Sequence, residues 1–258
     1  MLNAIKSALG FKKPIELHLY TFRSDVFHNC PIKPAKSFMP DWWKKLPTKT
    51  EFCPDGLRPM LNMRFCTGMT DLFTKGFMIP LWSDIRVKID GKNDDNPQHS
   101  WQYADLESEG VVHDQSQRGE YMPDSDYCHI KLESPWLAEC SEDIDFLLLQ
   151  NTWCMDQPEK YFSPAGVLNF KHQSATNINL LFAREDEGRV IQLNCNDPLV
   201  QLIPLSDRPV KIKMHFITKD EAEARKKAMT HKRSFTASYL KHKKNKNKCP
   251  FSGFGAER

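Results

Sequence analysis

No apolar run in the 258-residue chain approaches the roughly 18 residues of a membrane span, so no transmembrane helix is expected. The start, MLNAIKSALGFKKP, has no secretory h-region, because Lys6 interrupts it and Lys12–Lys13 close it. Export through a signal peptide is therefore not expected. Cys-x-x-Cys is missing, and the eight cysteines (30, 53, 66, 128, 140, 154, 195 and 249) are spread along the whole chain. Such spacing predicts reduced, mostly buried thiols in a cytoplasm, all eight free on titration under denaturant. Asp and Glu are absent from residues 225–248, which carry ten Lys and Arg. The chain has 36 bases and 33 acids, so the remainder holds 26 against 33, and a body of net −7 carries a basic tail. That asymmetry favours an acidic partner.

The usual signatures of catalysis are missing too. G-x-S-x-G, the P-loop and G-x-G-x-x-G do not occur. None of the nine histidines has Asp or Glu two residues on, the local mark of an iron-binding facial triad in cupin-like barrels. His28 and Cys30, and Cys128 and His129, are close pairs, but adjacent residues on a strand face opposite ways and cannot share an ion. No metal, no cofactor and no catalytic residue is assigned, and the enzyme question leans to no.

What is present reads as mainly β. Ile15–Leu19 and Ile85–Ile89 alternate with period two. Strands are also expected at 77–81, 100–103, 127–132, 144–151, 167–170, 177–183, 189–194, 198–205 and 210–218. Residues 184–188 should join two of them as a hairpin connection. Six prolines between Pro31 and Pro59 limit regular structure there to one short helix over Pro40–Leu46. Leu2, Ile5 and Leu9 suggest a short docking helix. Thr67–Lys75 reads as a helix with Thr67 as cap and Gly76 as C′. The polar stretch between Tyr103 and Tyr127 reads as a loop. Thr218–Glu221 is a capping box that opens a helix running to about His231. The expected fold is a jelly-roll or cupin-like β-sandwich with a few short helices, one β-rich domain over 1–218, then a C-terminal helix and basic tail over 219–258.

Six tryptophans lie mostly beside Pro or charged residues. Trp42, Trp43, Trp82, Asp84, Trp136 and Gln201 are the candidate binding residues. Aromatics in such settings either anchor an interface or cap the open ends of a sandwich core. The tail lysines Lys241, Lys243, Lys244, Lys246 and Lys248 can contact nucleic acid through phosphates, but no aromatics interleave them for base stacking. An acidic protein neighbour fits them equally.

Several strings occur together in a fixed order. They are Trp42-Trp43-Lys44-Lys45-Leu46-Pro47, Cys66-Thr67-Gly68-Met69-Thr70-Asp71, and Gly76 through Asp84. Ser134-Pro135-Trp136 and Asp197 through Pro204 follow. Over about residues 15–217 the chain resembles an uncharacterised protein family of tailed phages, notably marine ones, with bacterial relatives. The resemblance implies a phage setting and a β-rich fold, and it transfers no catalytic residue. Two functions follow as expectations. The first is a non-enzymatic phage-type protein, a structural virion component or a binding factor in the host cytoplasm. It would engage phage or host proteins through aromatic loops and a basic arm. The alternative is a cupin-like metal-dependent oxygenase or hydrolase with dispersed ligands. No membrane partner is expected, and one sequence leaves the oligomeric state open.

Overall fold

Alternation along Ile15–Thr21 produces strand β1, which buries Ile15, Leu17 and Leu19 and turns Glu16, His18 and Tyr20 outward. The structure is a computed structural model that describes residues 13–49, 61–91, 99–104, 110–112, 127–154, 161–185 and 187–230. Among these, 41% are in strands and 23% in helices, so the fold is mainly β. No helix among them is long and apolar enough to cross a membrane.

Four sheets surround one core. β1 lies between β14 (Val210–Phe216), with which it runs parallel, and β8 (Leu137–Cys140), with which it runs antiparallel. The largest sheet has the order β10-β9-β13-β3-β2, from Gly166–Leu168, Phe146–Leu149, Pro198–Pro204, Phe77–Pro80 and Lys33–Pro34. Asn177–Ala183 (β11) pairs Tyr127–Glu133 (β7), which also pairs Gly110–Val112 (β6). Arg189–Leu193 (β12) pairs Ile85–Ile89 (β4), which also pairs His99–Tyr103 (β5). Inward faces of all four meet in a cluster that includes Leu17, Ile79, Val87, Ile130, Phe146, Phe182 and Val200. Each such side chain contributes about 1.5–3 kcal/mol by leaving water.

Four helices complete the described fold: α1 (Ser24–Asn29), α2 (Asp41–Lys45), α3 (Thr67–Thr74) and α4 (Lys219–Thr230). The capping box forms as read: the Thr218 N–H donates to Glu221 Oε2 at 2.8 Å, and the Glu221 N–H to Thr218 Oγ1 at 3.2 Å. Among its described side chains α4 buries little beyond Ala222, and polar contacts hold it to β8 and to β7, strands of two different sheets. Arg225 meets Glu139 at 2.8 Å, and Lys226 meets Glu133 at 3.0 Å. The basic arm therefore begins on the body's own surface.

Several expectations need correction. Residues 184–188 do not close a hairpin, because β11 and β12 belong to different sheets. The proline-rich segment holds β2 and a 3-10 turn at Ala35–Phe38 besides α2. Strand β6 lies within the stretch read as a polar loop. α3 is preceded by Cys66 as its N-cap residue, with no side-chain cap, so Thr67 does not serve. Gly76 does adopt the left-handed conformation expected after the helix, with φ +71°. The helix suggested by Leu2, Ile5 and Leu9 lies outside the described residues.

Candidate functional site

Pro40 precedes α2, a single turn whose alternate sides are Trp42 and Trp43. Trp43 faces inward, 3% exposed, and its ring lies 4.8 Å from that of Phe73 on α3. Trp42 stays 42% exposed, edge-on to Trp43 at 5.7 Å and to Phe73 at 6.3 Å. The fourth ring comes from Trp153, in a 3-10 turn at Thr152–Cys154, 43% exposed and 6.0 Å from Trp42. Edge and tilted pairs of this kind contribute about 0.5–1.5 kcal/mol each beyond burial. The result is an aromatic corner with two rings sunk and two presented.

The corner is fastened from two sides. The Arg64 guanidinium donates to the Lys44 and Leu46 carbonyls at 3.0 and 2.6 Å, satisfying groups that a helix end leaves open. Beneath, Gln201 of β13 is fully buried. Its amide nitrogen donates to the Leu72 and Lys75 carbonyls at 2.7 and 2.6 Å, and its oxygen accepts from Asn151 Nδ2 at 2.6 Å. One glutamine thus ties the end of α3, which carries Phe73, to the residue that starts the Trp153 turn. Its role is positioning.

The other sequence candidates scatter. Trp82 and Trp136 are buried in the core, at 4% and 2% exposure, and in this conformation present no surface to a ligand. Asp84 is exposed, and its carboxylate accepts the Cys195 N–H at 2.7 Å. Lys241, Lys243, Lys244, Lys246 and Lys248 lie outside the described residues. Among the described candidates, Trp42 and Trp43 come together with Gln201 bound to the same corner, and Trp153 joins them.

A second constellation went unread in the sequence. On the outer face of the β14-β1-β8 sheet, His18 Nδ1 and His215 Nε2 are 2.9 Å apart, with rings stacked at 5.2 Å. Tyr20 stacks on His215 at 4.7 Å, and the Arg225 guanidinium lies 3.8 Å over the Tyr20 ring. Glu16 pairs with Lys213 at 2.9 Å and approaches His18 Nε2 at 3.6 Å. A cleft of about 460 Å³ opens beside this row, lined by Lys13, Glu16, His18, Tyr20, Phe170 and Lys171 among others. Next to Phe170 and Lys171 in the chain, the buried Asn169 amide donates to Asp143 and Asp145 at 2.9 and 2.8 Å. The available signal was the outward alternation Glu16-x-His18-x-Tyr20 and Lys211-x-Lys213-x-His215 on two strands.

Burial and neighbouring charge together set the titration of this face. The Lys213 ammonium holds the Glu16 carboxyl below its ordinary value, and burial raises the Tyr20 hydroxyl. Burial lowers the His215 imidazole, followed by His18, Arg225 and Lys213, against an opposing effect of Glu139. The unfolded chain therefore takes up that proton at higher pH than the folded one. Stability from His215 is complete above its ordinary value of 6.5 and is lost as pH falls through the lowered folded value. We expect the thermal midpoint to drop as pH falls from 7 to 5.5. His215→Gln should flatten that slope, as read by circular dichroism. Equal slopes in both proteins would remove His215 from this account.

Among the described residues no three His, Cys, Asp or Glu side chains are arranged to hold a metal ion. Comparison with protein-family models and with curated proteins gives no match.

Proposed function

We propose that this is a non-enzymatic phage-type binding protein, a virion component or a host-cytoplasmic accessory factor. It holds an acidic, apolar-bearing segment of a phage or host protein against the Trp42–Trp153 corner. The observation that carries the reading is the pair of tryptophans in contact, each about two-fifths exposed, of which Trp42 rests on buried Trp43 and Phe73. Large aromatics of this kind supply most of the energy at protein interfaces. Lys45 and Lys49 are exposed on the same segment, and the basic arm adds the same sign. Both favour an acidic partner. Trp42 is flanked by three other rings, which suits insertion into an apolar pocket better than base stacking on a free ring face. The phage setting rests on the family resemblance.

The finer fold reading, a jelly-roll or cupin-like β-sandwich, goes with this proposal. Nine of the ten described ladders are antiparallel, and five of those join strands that are not consecutive. The parallel β1–β14 ladder stands apart from that pattern. The alternative, a metal-dependent oxygenase or hydrolase, draws its support from the two imidazoles and Glu16 beside the cleft. It has no three-residue ligand set among the described residues.

The test titrates the captured partner, purified from infected cells or virions, against wild-type and variant chains by calorimetry. Trp42→Ala and Trp153→Ala should each weaken binding about tenfold or more, while Val190→Ala on β12 leaves it unchanged. Undiminished affinity in the double variant would reject the corner as the interface. If that protein instead bound oligothymidylate tightly, with a steep salt dependence, nucleic acid would be the ligand.

A further inference from the structure

Cys30 ends α1, and Cys195 lies in the turn between β12 and β13, yet their sulfurs are 3.0 Å apart. Neither position is loose. The Cys30 N–H donates to the Val26 carbonyl at 3.1 Å, and Ile32 just beyond is buried. The Cys195 N–H donates to Asp84 Oδ1 at 2.7 Å. The turn is closed by Asn196, at φ +70°, and by the Asn196 N–H to Leu81 carbonyl bond at 2.8 Å. Asparagine tolerates that left-handed conformation better than most residues. The two thiols are therefore presented to each other by backbone that is already ordered, which makes their reaction effectively intramolecular.

We propose that Cys30 and Cys195 form an oxidation site, a dithiol that closes to an intramolecular disulfide when a peroxide reaches Cys195. The two cysteines differ in access: Cys30 is 2% exposed, whereas Cys195 is partly open to solvent. Asn196 Nδ2 lies 3.8 Å from the Cys195 sulfur, within hydrogen-bonding reach of it. Burial pushes the Cys30 thiol up, and its contact with Cys195 pushes it further; closed off from solvent, Cys30 meets the oxidised Cys195 rather than the peroxide and serves as the resolving thiol. In the first step Cys195–SH and hydrogen peroxide give Cys195–SOH and water. In the second, the Cys30 sulfur attacks the Cys195 sulfur, the S–OH bond breaks, and a disulfide and a second water form. Two thiols are oxidised and one peroxide is reduced. Bond formation needs an approach of roughly 1 Å. The product joins residues 165 positions apart and pins the end of α1 to the β12–β13 turn, with the Cys30 sulfur 3.9 Å from the Trp82 carbonyl. Cys66, exposed at the start of α3, serves as the internal control.

The test treats the full chain, purified under reductant, with a small excess of hydrogen peroxide after the reductant is removed. Free thiols are then alkylated, and the unreduced digest is read by mass spectrometry. The expected result is a peptide pair joining Cys30 to Cys195, a fall from eight titratable thiols to six, and reversal by dithiothreitol. Cys30→Ser should instead leave a Cys195 sulfenic acid that dimedone traps. The crosslinked chain should melt roughly 5–10 °C higher than the reduced one. If Cys30 and Cys195 remain fully alkylatable while other thiols oxidise, the proposal is overturned. Dimedone-trapped Cys195 in the wild-type chain without the crosslink would overturn it equally.

Discussion

Gly76→Ala is expected to lower the free energy of unfolding by about 3–5 kcal/mol. Gly76 sits at φ +71° between α3 and β3, where an L side chain is strained whatever the space around it. Space is lacking as well, since a Cβ built there lies 2.2 Å from the Leu202 carbonyl oxygen and 3.0 Å from Ile203 Cα. Both are backbone atoms of β13, so no rotamer change relieves the contact. The strand has to move, and it carries Gln201 at the adjacent position. Gly68→Ala is the control. Gly68 lies within α3, its Cβ would meet only the Cys66 sulfur at 3.9 Å, and alanine is the better helix former. It should leave stability unchanged or raise it by up to about 1 kcal/mol. Urea unfolding followed by tryptophan fluorescence reads both. A Gly76→Ala midpoint equal to that of Gly68→Ala would refute the backbone argument.

Gln201→Leu is expected to cost a comparable amount, about 3–5 kcal/mol, by a different route. Leucine keeps the volume and removes three hydrogen bonds in a site with no exposure. The Leu72 and Lys75 carbonyls and the Asn151 amide would be left in a dry interior, and each unmet group costs about 1–3 kcal/mol. The loss should also be visible in the near-ultraviolet dichroism of the tryptophans, because the same three bonds position Phe73 and the Trp153 turn. Gln102→Leu, on the exposed face of β5, should change stability by less than about 0.5 kcal/mol. Small proteins unfold with only about 5–15 kcal/mol in hand, so either large loss is a substantial fraction of the whole. An unchanged tryptophan spectrum in Gln201→Leu would separate this glutamine from the aromatic corner.

Elements carried by local pattern were legible in the sequence. The alternation Ile85-Arg86-Val87-Lys88-Ile89 is buried and exposed in turn along β4, and residues 177–183 have the strand limits that were read for them. Elements that exist through distant pairing were not. β2 is two residues long and is a strand only because Lys33 and Pro34 meet Met78 and Phe77. β8 follows Pro135 and Trp136, is buried at three of its four positions, and so shows no alternation. The apparent hairpin at 184–188 failed for the same reason: turn-like residues report a change of direction, not which strand comes next to which.

The site divided along the same line. Trp42 stood out through its neighbours Pro40 and Lys44, and Gln201 was among the candidate binding residues, whereas the structure makes it a buried tie. Trp153 was one of six tryptophans and gained its meaning only from the 6.0 Å contact with Trp42. The His18–His215 pair joins residues 197 positions apart through a parallel ladder that neither strand announces.

The proposed site of partner binding is the Trp42–Trp153 corner. The most direct measurement places a photo-crosslinking phenylalanine analogue at position 42, at position 153 and, as control, at the exposed Val190 of the separate β12–β4–β5 sheet. Irradiation is carried out in infected cells, and adducts are identified by mass spectrometry. The prediction is one discrete protein adduct shared by positions 42 and 153 and missing from position 190. Adducts that form equally at position 190, or none at 42 and 153 while an analogue at Lys171 beside the polar cleft captures the partner, would contradict it.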